Sequence, residues 1–280
     1  MMTEYQIRRM RRDEMNLAVE WAAAEEWNPG HDDAALFYDT DPRGFFVGTL
    51  DDVPIASLSG VAYGDRFGFM GLYLVKPEFR GHGYGSQLWR AVIEYLGARN
   101  IGLDGVIDRK ENYRRSGFEL AWRNVRYEGV GVADERASSI VPIEGVDQSA
   151  VMALDRSVFL ADRSDFMRRW IAQRRGRAYA AVKDGTVAGF GVIRECRRGY
   201  KIGPLTAVDA PIAEDLFDAL AAEAAGEPIF LDVPEANPEA GALALRHGMK
   251  AVFETVRMYN REIPSLARDR IFGLASFELG

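Results

Sequence analysis

The chain carries a single cysteine, Cys196, in 280 residues. No intrachain disulfide can form, and a reducing compartment is the expected setting. Histidine is nearly as scarce: His31, His82 and His247 stand far apart without ligand spacing, so the sequence suggests no metal site. No stretch approaches the ~20 apolar residues that cross a bilayer, and the charged run from Met1 to Glu14 has no signal-peptide core. Positive charge is in deficit, 35 Lys and Arg against 42 Asp and Glu, for a net charge of −7. Nucleic acid and anionic membrane, which demand a basic surface, are disfavoured as partners. These absences predict a cytoplasmic protein, and no low-complexity segment argues otherwise. What remains is a globular composition, 48% hydrophobic and 11% aromatic, in a length that suggests two domains.

Glycine, by contrast, is concentrated where it matters. Phe67 to Val75 is rich in aromatic and branched residues and reads as a buried strand, while Ser86 to Leu96 has apolar residues at helical spacing. Between them, Arg80-Gly81-His82-Gly83-Tyr84-Gly85 places glycines at a helix N-terminus. First-turn N–H groups there have no intrahelical acceptor, and the macrodipole adds partial positive charge, an environment suited to phosphate. A Walker loop is excluded because Gly85 is followed by Ser86-Gln87. A dinucleotide fingerprint fails on its G-x-G-x-G spacing, although Asp104 lies about where a ribose-binding acid belongs. A glycine turn without ligand is the competing reading. Arg80 weighs against it, since each charge-assisted bond to a phosphate contributes roughly 1.5–3 kcal/mol.

Preceded by a strand and Val75-Lys76-Pro77, this run resembles the R/Q-x-x-G-x-G/A signature of the GNAT superfamily of acyl-CoA N-acyltransferases. The resemblance implies that Leu74, Val75, Arg80, Gly81, His82, Gly83, Tyr84, Gly85 and Ser86 contact the pantetheine and pyrophosphate of acetyl-CoA, the acyl donor. Asn112-Tyr113-Arg114-Arg115-Ser116-Gly117-Phe118 is similar to the family's Y-x-x-x-G-F motif, which makes Tyr113 the candidate acid for the departing thiolate. A phenol of pKa near ~10 keeps its proton at neutral pH, as that role requires. An ordinary half-buried aromatic is the alternative. Two departures stand out: Met70-Gly71-Leu72-Tyr73-Leu74 offers no strand glutamate as base, and Val106 occupies the position of a frequent asparagine. The base is unassigned by sequence.

The chain also contains a distant copy of itself, displaced by 131 residues. Gly117 and Arg126 correspond to Gly248 and Arg257, each arginine nine residues after its glycine, and the hairpin pattern at 45–56 resembles that at 178–188. Under this offset Pro211 faces Arg80, Glu214 faces Gly83, Leu216 faces Gly85 and Ala244 faces Tyr113. The second copy keeps Asn237-Pro238-Glu239-Ala240 but has neither cradle nor acid, and reads as catalytically silent. The expected fold is α/β (α+β): two GNAT-like domains, each a central mixed, mostly antiparallel sheet flanked by helices. Residues 1–130 would form the unit that binds acetyl-CoA, and 139–280 a degenerate unit shaping the acceptor site, joined by a polar connector.

Within the first unit the pattern predicts a helix over 13–27, a breaker at Trp27-Asn28-Pro29-Gly30 and a short helix over 32–39. In the resembling family the loop between these helices lines the acceptor pocket. Glu26, Trp27 and Asp32 are therefore the candidate acceptor contacts, the ring offering a cation–π face to an ammonium. A solvated helix end with a tucked tryptophan is the other reading. The loop at 232–237 is a further candidate from the second unit, and the apolar stripe of 262–280 would cross onto the sheet or the partner domain. The expected activity is transfer of an acetyl group from acetyl-CoA to a primary amine of a small molecule by direct attack. The alternative is a non-catalytic acyl-CoA sensor or protein-interaction module. Amino acid, amino sugar, polyamine and protein amine all fit as acceptor, and both monomer and homodimer fit as oligomeric state.

Overall fold

A computed structural model describes residues 4–280. The first half runs β1 (Tyr5–Arg9), α1 (Met15–Ala24), α2 (Asp33–Tyr38), β2 (Phe45–Leu50), β3 (Val53–Tyr63), β4 (Phe67–Val75), α3 (Tyr84–Leu96), β5 (Asn100–Val106), α4 (Lys110–Arg115) and β6 (Glu119–Val130). The second half runs β7 (Ile140–Pro142), α5 (Gln148–Val158), α6 (Ser164–Ile171), β8 (Gly176–Lys183), β9 (Thr186–Glu195), β10 (Tyr200–Ala207), α7 (Ala210–Ala222), β11 (Pro228–Pro234), α8 (Pro238–Arg246), β12 (Lys250–Tyr259) and β13 (Ile271–Gly273). The predicted helix over 13–27 is shorter, because a 3-10 turn occupies Arg12–Glu14 and the helix stops at Ala24.

Local chemistry explains the repeated hairpins. Asp51 and Asp52 both adopt positive φ, +48° and +66°, and Asp184 and Gly185 do the same at +51° and +74°. Two successive left-handed residues match the right-handed twist of the strands they join, and Asp and Gly tolerate that conformation best.

All the strands join one sheet, in the order β1-β2-β3-β4-β5-β12-β6-β11-β10-β9-β8-β7, with β13 against β10. The two halves exchange their equivalent strands. β12 of the second half pairs with β5 of the first, while β6 of the first lies between β12 and β11. Among the named strands only β4–β5 and β10–β11 pair in parallel, in keeping with the mixed, mostly antiparallel expectation. The repeat found in sequence is thus an interlocked one, and the halves separated by the connector are not separate sheets.

Alternation along the strands sorts two faces. On one face a single core joins α1, α2, α5 and α6 through Met15, Phe37, Val151, Phe166 and Trp170, and it reaches Ala275 and Leu279 at the end of the chain. On the other, α3 packs on the first half through Leu88, Val92 and Leu96, and α7 on the second through Leu216, Phe217 and Leu220. Every residue from Ile271 to Gly280 is buried. Of the predicted apolar stripe of 262–280, residues 271–280 therefore cross back, as a strap between the halves.

Candidate active site

Strands β4 and β5 are paired only from Phe67↔Asn100 to Met70↔Leu103. Beyond that point Leu72 adopts φ +51° and the β3–β4 register slips, so β4 turns away from β5. The gap opens into a cavity of about 820 Å³ whose wall includes Leu72 to Val75, Gly81, Gly83 to Ser86, Trp89, Asp104 to Val106 and Tyr113. The volume is that of a small-ligand site.

At one end lies the glycine turn. Gly81 and Gly83 hold φ +84° and +82°, and a Cβ on either would meet only open space, so their backbone is presented bare. The first ladder bond of α3 runs from the Gln87 N–H to the Gly83 carbonyl (3.2 Å), and no side chain caps the helix. The N–H groups ahead of Gln87 therefore remain available to an anion. Gly85 sits against Tyr73, whose hydroxyl would lie 2.6 Å from a Cβ there. Arg80 stands at the lip, its Nε donating to the Val75 carbonyl (2.8 Å) and its Nη2 paired with Glu25. This exposed pair contributes at most about 1 kcal/mol, so it would be a small barrier to an anion at this position. His82 is exposed, with Nδ1 3.0 Å from the Arg80 carbonyl and its ring stacked on Tyr84. Unlike its glycine neighbours it does not line the cavity.

Tyr113, on the short helix α4, is buried and faces the same cavity. Trp89 stacks on it at 5.8 Å, and Gly105 is the floor beneath it, for a Cβ there would fall 2.1 Å from the ring. Burial, reinforced by Tyr73 and eased by Arg109, pushes its pKa up to about 12. The phenol therefore holds its proton through the neutral range. Asn112, one residue earlier, also lines the cavity.

The acceptor contacts expected from the loop between α1 and α2 divide. Trp27 and its neighbour Glu25 line the cavity, whereas Glu26 and Asp32 do not. The loop is stitched to the second half: Asn28 exchanges two hydrogen bonds with Arg198 (2.9 Å each), and Asp32 accepts from the Arg175 N–H (3.1 Å). Asp32 is thus engaged elsewhere, and Glu26, at φ +62°, turns to solvent. Trp27 is instead held by its carbonyl, which accepts from Arg126 Nη1 (2.8 Å) and Lys201 Nζ (3.4 Å).

The loop at 232–237 is a second correction. Asp232 is buried in an ion pair with Arg126, and Asn237 caps α8 by accepting from the Glu239 N–H. The second half reaches the cavity through other residues, Phe253, Thr255, Phe277 and Glu278. Motif spacing gave no hint of these. The one available signal was a lone acid, Glu278, inside the apolar run 271–279.

The corresponding positions of the second half are built differently. Asp209 caps α7 by accepting from the Ile212 N–H (3.0 Å), so its own carboxylate fills the anion position at that helix start. Ala244, at the tyrosine position, is fully buried. The gap where β10 leaves β11 is closed by β13, which pairs with β10 at Leu205↔Gly273 and Thr206↔Ile271. Cys196 is buried, and burial pushes its thiol pKa up, away from a nucleophile's range. One grouping escaped the spacing argument: Glu214, Asp218 and His247 offer ligand atoms within 4.8 Å of one another. Glu214 is already bonded to His247 (2.6 Å) and Arg246 (2.5 Å), which makes the group an ion-pair cluster.

Family comparison places both halves in one fold family. The profile described as "Acetyltransferase (GNAT) family" matches residues 6–118, and that described as "Acetyltransferase (GNAT) domain" matches 151–273. The chain belongs to the GNAT family, with two domains in tandem. It is 29% identical to "Holothin acyltransferase" of Pseudoalteromonas sp. (strain SANK 73390) over 272 residues, 96% of this chain and 92% of that one. In fold it is similar to a putative acetyltransferase from Pyrococcus horikoshii, with a TM-score of 0.85 at 22% identity over 99% of this chain and 96% of the other. It is also similar to a "Tandem GNAT protein from the clavulanic acid biosynthesis pathway", with a TM-score of 0.64 at 16% identity over 94% and 100%. This tandem GNAT protein is thus an acyltransferase by family. No helix among its described residues is long and apolar enough to cross a membrane.

Proposed function

We propose that this protein transfers an acetyl group from acetyl-CoA to a primary amine of a small molecule, by direct attack of the amine on the thioester. The observation that carries the reading is a single cavity holding both the bare glycine cradle and the Tyr113 hydroxyl. Arg80 and the N–H groups of residues 81–86 would bind the pyrophosphate, and the freed edge of β4 at Leu74 and Val75 the pantetheine. Tyr113 would give its proton to sulfur as the C–S bond breaks. Trp27, Phe253 and Phe277 supply an aromatic surface for an ammonium-bearing acceptor. Similarity to holothin acyltransferase along nearly the whole chain supports a small-molecule acceptor. The first half would serve as the catalytic unit and the second as the unit that shapes the acceptor side, with no covalent relay because Cys196 lies outside the cavity.

Thiol release from acetyl-CoA, and from longer acyl-CoAs in parallel, followed across a panel of primary amines, tests this directly. Tyr113→Phe should lower turnover about 100-fold or more while leaving coenzyme affinity within a factor of about two. Binding of coenzyme A without thiol release from any donor and amine would instead indicate a sensor.

A further inference from the structure

The cavity is lined by three acids, and two of them are engaged. Glu25 is paired with Arg80, and Asp104 is held by Arg257 at 2.6 and 2.7 Å and by the Asn124 amide at 2.8 Å. The third, Glu278, is 5% exposed and forms no ion pair or side-chain hydrogen bond within the described residues. Its carboxylate oxygens keep access to the cavity, so an acid unpaired by side chains faces whatever the cavity holds.

We propose that Glu278 is the general base of the transfer reaction, delivered to the first half's site by the C-terminal strap. The proposal rests on the acyl-transfer reading above. Three observations on the strap's path support it. First, a Cβ on Gly203 would lie 2.1 Å from the Leu274 carbonyl, and a Cβ on Gly71 would lie 2.1 Å from the Glu278 carbonyl. The strap therefore runs in close backbone contact from the closed gap of the second half to the point where β4 turns away from β5. Any side chain at residue 71 would displace it. Second, the Tyr63 hydroxyl donates to the Leu279 carbonyl (3.0 Å) and Arg163 Nη1 to that of Gly280, so the strap is pinned on the far side of Glu278. Third, β4 itself carries no carboxylate over Met70 to Leu74. Glu278 arrives beside Gly71, where that strand lacks one.

The charged groups around Glu278 are Lys201, Asp33, Arg126 and Arg194. Arg126 is occupied by Asp232; Arg194 reaches Asp33 through Nε and Nη2 while its Nη1 has no partner among the described residues, and Lys201 meets the Trp27 carbonyl at 3.4 Å. Burial outweighs these cations and raises the Glu278 pKa, which strengthens it as a proton acceptor. The acceptor enters as an ammonium and gives one proton to the Glu278 carboxylate. The neutral nitrogen attacks the thioester carbon, and the C–N bond forms. As the C–S bond breaks, Tyr113 protonates sulfur and recovers the second nitrogen proton, and Glu278 returns its own to solvent. The products are one amide, one thiol and one released proton.

The test compares the intact wild-type chain with Glu278→Gln, Glu278→Asp and Tyr113→Phe, using acetyl-CoA and the best amine of the panel. Coenzyme affinity is measured by calorimetry and folding by thermal melting. Glu278→Gln should lose about 100-fold in kcat/KM at neutral pH, with coenzyme affinity unchanged. Its deficit should shrink as pH approaches the acceptor amine's own pKa, about 10 for an alkylamine, because the free amine no longer needs a base. Glu278→Asp should recover part of the rate. A Glu278→Gln chain with wild-type turnover, alongside an impaired Tyr113→Phe, would remove the base and leave the acyl-transfer reading standing. A deficit constant across pH and unrelieved by Glu278→Asp would reduce Glu278 to a structural residue. No turnover by the wild-type chain with any amine would remove the acyl-transfer reading and the base with it.

Discussion

Arg257, on a strand contributed by the second half, grips Asp104 of the first through Nε and Nη2 at 2.6 and 2.7 Å. Arg126 grips Asp232 in the opposite sense at 2.6 and 2.8 Å. All four side chains are buried. Their strand partners coincide, Arg257 facing Asp104 and Asp232 facing Arg126 in the ladder. The two pairs are one interaction repeated, and they fasten the exchanged strands beside the cavity.

Breaking one such pair should be expensive. Arg126→Leu leaves Asp232 buried without its partner, and a loss of about 3–5 kcal/mol is expected. Arg126→Leu with Asp232→Leu should regain much of that loss, because two apolar side chains leave no unpaired charge. Chemical denaturation of the three variants checks both the sign and the recovery.

The exchanged strands also predict how the chain behaves when cut. Residues 132–136 of the connector are exposed and outside regular structure. A single proteolytic nick there should leave both fragments co-eluting as one folded particle, because β6 stays clamped between β12 and β11. Separation of the fragments without denaturant would contradict the interlock.

How much of this could be read from residues alone depends on the range of the contact. The glycine turn and the place of Tyr113 near it were legible because the pattern is local: glycines at positive φ, an arginine at the lip and a tyrosine one turn before a glycine cap occupy short windows. Arg126 and Arg257 were visible as a repeat, yet their partners were not. Asp232 follows Asp104 by 128 residues while Arg257 follows Arg126 by 131, so one fixed offset conceals the match. Glu26 and Asp32 misled because an acid beside a tryptophan reads the same whether it faces a cavity or caps a neighbouring backbone. Glu278 was hidden because only the fold brings it to Gly71.

The cradle makes a graded prediction. At φ +82° Gly83 is in the left-handed region, where a Cβ costs about 1–2 kcal/mol even with open space around it. Gly83→Val should weaken coenzyme A binding more than Gly83→Ala, and Arg80→Ala should weaken it about tenfold or more through loss of a charge-assisted bond. Placing arginine at Pro211 should create no second site, since Asp209 already fills the start of α7. Titration calorimetry with coenzyme A should give one site per chain in the wild type and in Pro211→Arg.

Gly105 separates positioning from binding. A methyl group there would overlap the Tyr113 ring, so Gly105→Ala must push the phenol from its seat against Trp89. Turnover should fall by tenfold or more, because a displacement of about 1 Å has large kinetic effects. Coenzyme affinity should change little, since the glycine turn is untouched. Equal losses in kcat and affinity would mean that the tyrosine's seat and the cradle are one mechanical unit.

The buried tyrosines set the alkaline behaviour. Burial pushes Tyr113 up to about 12 and raises Tyr63 as well, against about 10 in an unfolded chain. As pH rises past 10 the unfolded chain gives up these protons first, so it binds fewer protons than the folded one and stability falls with pH. The contribution is fully present below pH 10 and is lost as pH climbs toward 12. Tyr113→Phe removes its share, roughly 2–3 kcal/mol at full ionisation, so the melting temperature of that variant should decline less steeply above pH 10 than the wild type's. Tyr113 should likewise impose no alkaline limb on kcat below about pH 11, because the acid form persists. A limb near pH 8 that disappears in Tyr113→Phe would show that the phenol is far more acidic than its burial allows.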